Sequence, residues 1–247
     1  MITQDDSSVL PRDTAIYDTL LEVTWPAARL IRQSGWLLRE GLGGGKRVSA
    51  ATPLADWQDE TIPVAEAVMA DLGQRALFRI GEDDVMLDQA LQSRGYRIVD
   101  PVLVYEARTE ELAHRISPDH HALPHWPCLR ICEDIWAAGG IDSARLAVME
   151  RVQTAKAALL ARNANHAIGA GFVALHAQRA MLHAVEVRED HRRQGGGRAI
   201  LQSAAEWALM QGASHLSLVV TLRNTAARAL YSSMGMEVVA KYHYRQR

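Results

Sequence analysis

The sequence predicts an α/β protein, and three observations carry that prediction. Residues 182–201, LHAVEVREDHRRQGGGRAIL, read as a strand, a basic glycine turn and the start of a helix. Around this stretch, short period-two apolar runs alternate with runs whose apolar residues recur at three- and four-residue spacing. The two halves of the chain also end alike. Ala90-x-x-x-x-Gly95-Tyr96 and Ala229-x-x-x-x-x-Gly235-Met236 both read helix, glycine, strand.

Taken in order, residues 14–31 predict a helix interrupted near Pro26, with Leu21 and Trp25 one turn apart on a core face. Residues 35–54 predict two strands joined by a glycine turn at Gly43, Gly44 and Gly45. Lys46 and Arg47 follow that turn with no helix pattern behind them, which favours a hairpin over a phosphate site. Residues 63–72 predict a helix with Pro63 in its first turn. A strand at 76–80, a helix at 83–93 and a stop at Gly95 come next. Residues 96–106 hold two short apolar runs broken by Pro101.

Residues 111–127 lack periodicity and carry three prolines among His120, His121 and His125, so they predict a linker between a half at 1–110 and a half at 128–247. The second half predicts a short strand at 128–132, a helix at 141–153, and strands at 156–162 and 167–176 with a polar turn between them. After the central strand, loop and helix, residues 215–222 predict a buried strand. Residues 225–234 predict a helix ending at Gly235, and residues 237–244 the last strand.

Composition narrows the function. The chain has 247 residues, 48% hydrophobic and 23% charged, with a net charge of −2. That balance excludes a nucleic-acid-coating protein and a strongly basic membrane-surface protein. No apolar run is long enough to span a bilayer, and the opening MITQDDSSVL is unlike a signal peptide. A cytoplasmic protein with reduced thiols is the expectation. Cys128 and Cys132 form C-x-x-x-C, read as two ordinary thiols rather than a disulfide framework or a metal site.

The 182–201 stretch is an anion site by construction. The first turn of a helix leaves its N–H groups free, and the helix dipole favours negative charge there. Glycine removes Cβ atoms that would keep a phosphate from the backbone, and Arg192, Arg193 and Arg198 add positive charge. Neither a Walker loop nor the dinucleotide fingerprint G-x-G-x-x-G fits. Arg192-x-x-Gly195-x-Gly197 does fit a third pattern. It resembles the pyrophosphate-binding loop of the GNAT (Gcn5-related N-acetyltransferase) family.

Downstream, Asn224-x-x-Ala227-x-x-x-Tyr231-x-x-x-Gly235-Met236 resembles the family signature N-x-x-A-x-x-x-Y-x-x-x-G-F, with Met236 in place of the aromatic. The resemblance covers roughly residues 127–247. It implies a GNAT fold, a mixed and mostly antiparallel central sheet flanked by helices. The first half has no R-x-x-G-x-G loop, and its hairpin is similar to bacterial proteins with two tandem GNAT-like halves. The resemblance thus implies a degenerate first half that braces the second and walls one side of an acceptor pocket. Arg39, Lys46 and Arg47 there read as solvated hairpin charges or as groups meeting an acidic acceptor.

What the resemblance implies about the site is specific. Backbone groups of Val185 and Val187 would hold the pantetheine arm of acetyl-CoA like an added strand. Amides and side chains of Arg192, Arg193, Gln194, Gly195, Gly196, Gly197 and Arg198 would hold the pyrophosphate. Asn224 would contact the cofactor arm or orient the last helix. Tyr231 would protonate the leaving thiolate.

The reaction needs an amine proton removed, a thioester carbonyl polarised and a thiolate released. His183 is the candidate base. It lies nine residues before Arg192, similar to a catalytic histidine of arylalkylamine N-acetyltransferases, and an unperturbed imidazole titrates near neutrality. Strand alternation groups it with Val185 and Val187 and puts the rival base, Glu186, on the opposite face. The expected function is an acetyl-CoA-dependent N-acetyltransferase acting directly on a small-molecule amine, without metal, nucleic acid or membrane, as a monomer or homodimer. The alternatives are a non-catalytic acyl-CoA-binding or regulatory module and a protein lysine or N-terminal acetyltransferase.

Overall fold

The computed structural model describes residues 15–113 and 121–247. The first half contributes α1 (Ala15–Thr24), the hairpin β1 (Arg29–Gln33) and β2 (Trp36–Glu40), the short β3 (Thr52–Pro53), α2 (Ile62–Asp71), β4 (Leu77–Gly81), α3 (Val85–Ser93), β5 (Arg97–Arg108) and α4 (Thr109–Ala113). Then follow β6 (Ala122–His125), α5 (Arg130–Ala138), α6 (Ser143–Arg151), β7 (Lys156–Asn163), β8 (His166–His176) and β9 (Arg179–Val187). The chain closes with α7 (Gly196–Met210), β10 (His215–Thr221), α8 (Thr225–Ser233) and β11 (Glu237–Gln246).

Eight strands form one sheet in the order β4-β11-β5-β10-β9-β8-β7-β6, antiparallel except where β9 and β10 run parallel. Strands β1 to β3 make a separate small sheet. On one face of the large sheet, Ile200, Leu201, Ala204 and Ala205 of α7 pack on Leu159, Leu182 and Leu216, with Leu112 of α4 and Tyr231 of α8 at the margins. On the other face, Trp25, Cys132, Ile135, Trp136 and Val148 pack on Ala158, Ala170 and Phe172. Burying both faces explains why β7 and β8 read as continuous apolar runs.

The repeated helix–glycine–strand endings have a structural counterpart. In each, glycine takes the left-handed conformation after the helix, φ 82° at Gly95 and 81° at Gly235. Tyr96 N–H then donates to the Leu91 carbonyl and Met236 N–H to the Tyr231 carbonyl, each at 3.1 Å. This paired 6→1 capping sends the chain back along the sheet and tucks the apolar residue after glycine under the helix. The two units β4-α3-β5 and β10-α8-β11 then exchange their last strands: β11 lies against β4, β5 lies against β10, and β5 pairs with β11. The halves therefore share one sheet.

Several boundaries differ from the sequence reading. The predicted helix over 14–31 stops at Thr24, because Pro26 cannot continue it; Arg29–Gln33 becomes a strand. Leu21 and Trp25 are buried as expected. An additional hairpin, β1–β2, forms ahead of the predicted pair, with Ser34 (φ 48°) and Gly35 (φ 80°) as a two-residue turn of the kind right-handed strand twist favours. The two strands expected within 35–54 are β2 and β3, which pair antiparallel, but the glycines Gly43–Gly45 between them do not close a tight turn. The glycines lead into a short 3₁₀ turn, Lys46–Val48, packed into the molecule.

Pro101 does not break β5, because Asp100 is kinked to φ 42° beside it and the ladder shifts register there. The strand expected at 128–132 is β6 at Ala122–His125 instead, within the segment read as linker. Cys132 belongs to α5, where Cys132, Ile135 and Trp136 bury one helical stripe; the short alternating run was ambiguous between the two periods. Residues 114–120, with His120, lie outside the described residues, as does Thr14.

Among the described residues, no helix is long and apolar enough to cross a membrane. No cluster of His, Cys, Asp and Glu there could hold a metal ion.

Candidate active site

Strands β9 and β10 run side by side only at Arg179–Leu182 and His215–Leu218. Beyond that point β9 continues to Val187 and β10 to Thr221 without pairing to each other. The edge of β9 that faces β10 therefore offers unpaired backbone groups to an extended ligand.

A bulge sits at the fork. His183 pairs with Phe172 and Glu186 with Ala170, so Ala184 and Val185 together oppose Gly171. Ala184 takes φ 50°, and its carbonyl accepts a 2.7 Å hydrogen bond from Trp136 Nε1. The extra residue corrects the alternation read from the sequence. Val185 and Val187 share the α7 side with Leu182, whereas His183 packs against Trp25 and Phe172 on the other side. Glu186 reaches that same side, against Gly139 at the end of α5. His183 and Glu186 thus share a face, and His183 does not share one with Val185 and Val187.

Past β9 the chain makes a short turn at Glu189–His191 and enters α7 through Gly195, whose φ is 83°. The first intrahelical bond runs from Ala199 N–H to the Gly195 carbonyl at 2.9 Å, which leaves the N–H groups of the first turn unpaired within the helix. Arg188 pairs with Asp190, and Arg192 with Glu186 at 3.7 Å. Among the described residues, Arg193 and Arg198 have no carboxylate partner.

This loop opens into a cleft of about 730 Å³. Val185, Val187, the loop from Arg192 to Arg198 except Gln194, Asn224 and Tyr231 line it together, with Glu186 at its edge. Gln194 instead bonds the Asp190 carbonyl at 3.4 Å. Asn224 caps α8, its side-chain oxygen accepting from Ala227 N–H at 3.1 Å. The volume suits a small-molecule ligand, and the free helix amides with unpaired guanidinium groups suit its phosphates.

Tyr231 is buried beside the Tyr105 ring at 5.8 Å. Burial pushes its phenol up to about 12, so it is protonated at neutral pH. Burial likewise raises the Glu186 carboxyl above its ordinary value, opposed by the nearby Arg192 guanidinium.

His183 is enclosed. Arg47 Nη1 lies 3.0 Å from its Nδ1 and Thr24 Oγ1 lies 2.9 Å from its Nε2. A guanidinium can only donate, so Nδ1 accepts and the ring is the neutral Nε2–H form. Thr24 passes the chain on, donating to the Leu20 carbonyl at 2.6 Å. Burial first, then Arg47, holds the His183 pKa well below 6.5. The linkage follows from that direction. Below about pH 6.5 the unfolded chain takes up a proton that the folded ring refuses. Stability from this group is complete above that pH and falls as the solution becomes more acidic. The slope from one such group is at most about 1.4 kcal/mol per pH unit. His183→Gln is expected to flatten the acid side of a urea-unfolding series, and an unchanged slope would contradict the burial of a neutral ring.

A second pocket, about 360 Å³, lies on the other side of the fork. Ala184 lines it where Val185 lines the first. Its walls come from both halves: Trp25, Gly45, Lys46, Arg47 and Asp100 from the first, and Arg145, Arg223, Tyr242 and Tyr244 from the second. Sequence reasoning considered Lys46 and Arg47 but missed Trp25, Asp100, Arg145 and Arg223. Nothing in their local pattern differs from ordinary helix, turn and loop residues; the packing of the first half on the second brings them together.

Residues 129–236 match the model of the acetyltransferase (GNAT) family. A curated relative, N-acetyltransferase family 8 member 3 of Rattus norvegicus, is 39% identical over 70 residues, which are 28% of this chain and 31% of that protein. The match thus spans about a third of that relative's length. A GCN5-related N-acetyltransferase from Kribbella flavida superposes with a TM-score of 0.69 at 17% identity, covering 95% of each chain. A tandem GNAT protein from the clavulanic acid biosynthesis pathway gives a TM-score of 0.57 at 11% identity, covering 74% of this chain and 67% of that one.

Proposed function

We propose that this GNAT-fold chain, whose second half carries the family's sequence pattern, is an acetyl-CoA-dependent N-acetyltransferase acting on a small-molecule amine. One observation carries the reading. The glycine loop, the unpaired edge of β9 and Tyr231 all line one cleft, at the fork where β9 and β10 separate.

In this reading the first-turn amides of α7, with Arg193 and Arg198, hold the pyrophosphate, and the β9 edge holds the pantetheine arm. The thioester lies at the fork and the amine approaches from the pocket on the other side. The amine nitrogen attacks the thioester carbon, the C–S bond breaks, and the sulfur takes the Tyr231 hydroxyl proton. Glu186 is the better proton acceptor of the two candidates. It borders the cleft with a carboxyl whose pKa is raised, while the only lone pair of the neutral His183 ring faces Arg47. His183 is then a positioning residue that fixes Arg47. Holding amine and thioester together contributes up to about 7–11 kcal/mol of the barrier reduction, so the base need not be strong.

The test is release of free thiol from acetyl-CoA with a panel of small amines. Amine-dependent release, with N-acetyl product found by mass spectrometry, supports the proposal. Tight acetyl-CoA binding without transfer to any amine or to peptide lysines and N-termini would favour a binding module instead.

A further inference from the structure

The pocket opposite the cofactor cleft has an uneven charge. Among the described residues, four cations, Lys46, Arg47, Arg145 and Arg223, line it against one carboxylate, Asp100. Asp100 is already engaged, at 2.6 Å from Lys46 and 3.7 Å from Arg223. Arg47 and Arg145 have no carboxylate partner among the described residues. Both are half-buried, and a partly desolvated cation without a counter-ion is costly unless a ligand supplies one.

Both guanidinium groups are also held in place. Arg47 lies over the Trp25 ring at 4.9 Å, and one of its nitrogens is committed to His183. Arg145 Nη1 donates to the Gly140 carbonyl at 2.7 Å, at the start of α6. Its Nε and Nη2 lie beside Gly45, where the absence of a side chain leaves room for them. Each guanidinium has five donors, so most remain available after these bonds. Fixed, planar donors of this kind favour carboxylates, which they bind in paired hydrogen bonds. The ring of Trp25 and the edge-on Tyr242–Tyr244 pair, 5.6 Å apart, give the same pocket apolar walls.

We infer that this pocket binds the carboxylate of the acceptor, so that the substrate class is an amine bearing a carboxylate group, recognised by Arg47 and Arg145. The inference rests on the acetyltransferase reading for the word acceptor. The carboxylate site itself stands on the geometry alone. At about 360 Å³ the pocket has the size of an amino-acid-like molecule rather than a folded partner. The opposite charge preference is disfavoured, because a simple cationic amine would meet four positive groups at close range.

The test is calorimetric titration of N-acetyl amino acids, which are products under this inference, against their matching carboxamides. The protein is the full chain, titrated with and without CoA. At least one free acid is expected to bind about tenfold or more tightly than its amide. Arg145→Gln is expected to reduce that preference about fivefold or more while leaving acetyl-CoA affinity unchanged. Arg47→Gln should do the same, but its contact with buried His183 puts folding at risk, which is why Arg145→Gln is the primary variant. The inference is overturned if no acid binds, if amides bind as well as acids, or if the preference survives in Arg145→Gln. Acetyl-CoA binding in the same series separates the two ideas. Acids that bind to a protein without acetyl-CoA affinity refute the transferase reading alone, and the reverse pattern refutes the carboxylate site alone.

Discussion

Tyr231→Phe is expected to lower kcat by about 10²–10⁴-fold, the usual worth of a positioned proton donor, with little change in acetyl-CoA affinity. The hydroxyl is the only group removed. The ring keeps its packing against Tyr105 and its place in the core between α8 and the sheet. Because burial holds the phenol pKa at about 12, wild-type Tyr231 stays protonated through the neutral range. It is therefore not expected to give an alkaline limb to the pH–rate profile below about pH 10. An acid limb is expected, displaced upward from the ordinary glutamate value by the burial of Glu186. A variant with near-wild-type kcat would reduce Tyr231 to a packing residue.

The second large effect is on binding. Gly197→Glu is expected to weaken acetyl-CoA binding by about 100-fold or more, equivalent to roughly 2.7 kcal/mol. Gly197 lies in the first turn of α7, and a Cβ there would stand 3.0 Å from Leu230 Cδ2 across the cleft. A longer side chain must either wedge α7 from α8 or fill the space over the free amides. Its negative charge also sits where Arg193 and Arg198 and the helix dipole favour a phosphate. Circular dichroism distinguishes a folded variant that does not bind from one that has lost its fold. Affinity that survives the substitution would place the pyrophosphate elsewhere.

Most of the second half was legible in the sequence because its signals are local. The Arg192-x-x-Gly195-x-Gly197 turn declares a helix start, and Gly235 declares a helix end whose left-handed φ only glycine adopts cheaply. The same logic made the echo at Gly95 visible, and the two endings do lie beside each other in the sheet. What the sequence did not disclose was non-local. Strand alternation assumes an unbroken ladder, and a single residue at Ala184 with φ 50° resets which side chains share a face. The consequences for His183 and Glu186 follow from that one dihedral.

The first half was harder for the same reason. Ser34-Gly35 is a recognisable turn, but the triple glycine at Gly43–Gly45 is the louder signal; it marks the longer connection from β2 to β3 and drew attention from the β1–β2 hairpin. The acceptor-side pocket was least legible of all. Trp25 follows a helix end, Arg47 sits in a 3₁₀ turn, Asp100 in a kinked strand and Arg145 in the first turn of α6. None of these positions has a pattern of its own. They meet because α1 and the Lys46–Val48 turn of the first half pack directly on β8, β9 and α6 of the second, which is a property of the tertiary packing rather than of any segment.

The central claim is that the fork between β9 and β10 holds acetyl-CoA. Isothermal titration of acetyl-CoA and of free CoA into the purified wild-type protein tests it most directly. The account predicts micromolar, one-to-one binding of both, since the pyrophosphate and pantetheine contacts are common to them. Absence of binding by either, in a protein shown to be folded, would contradict it and leave a GNAT fold whose glycine loop serves some other anion.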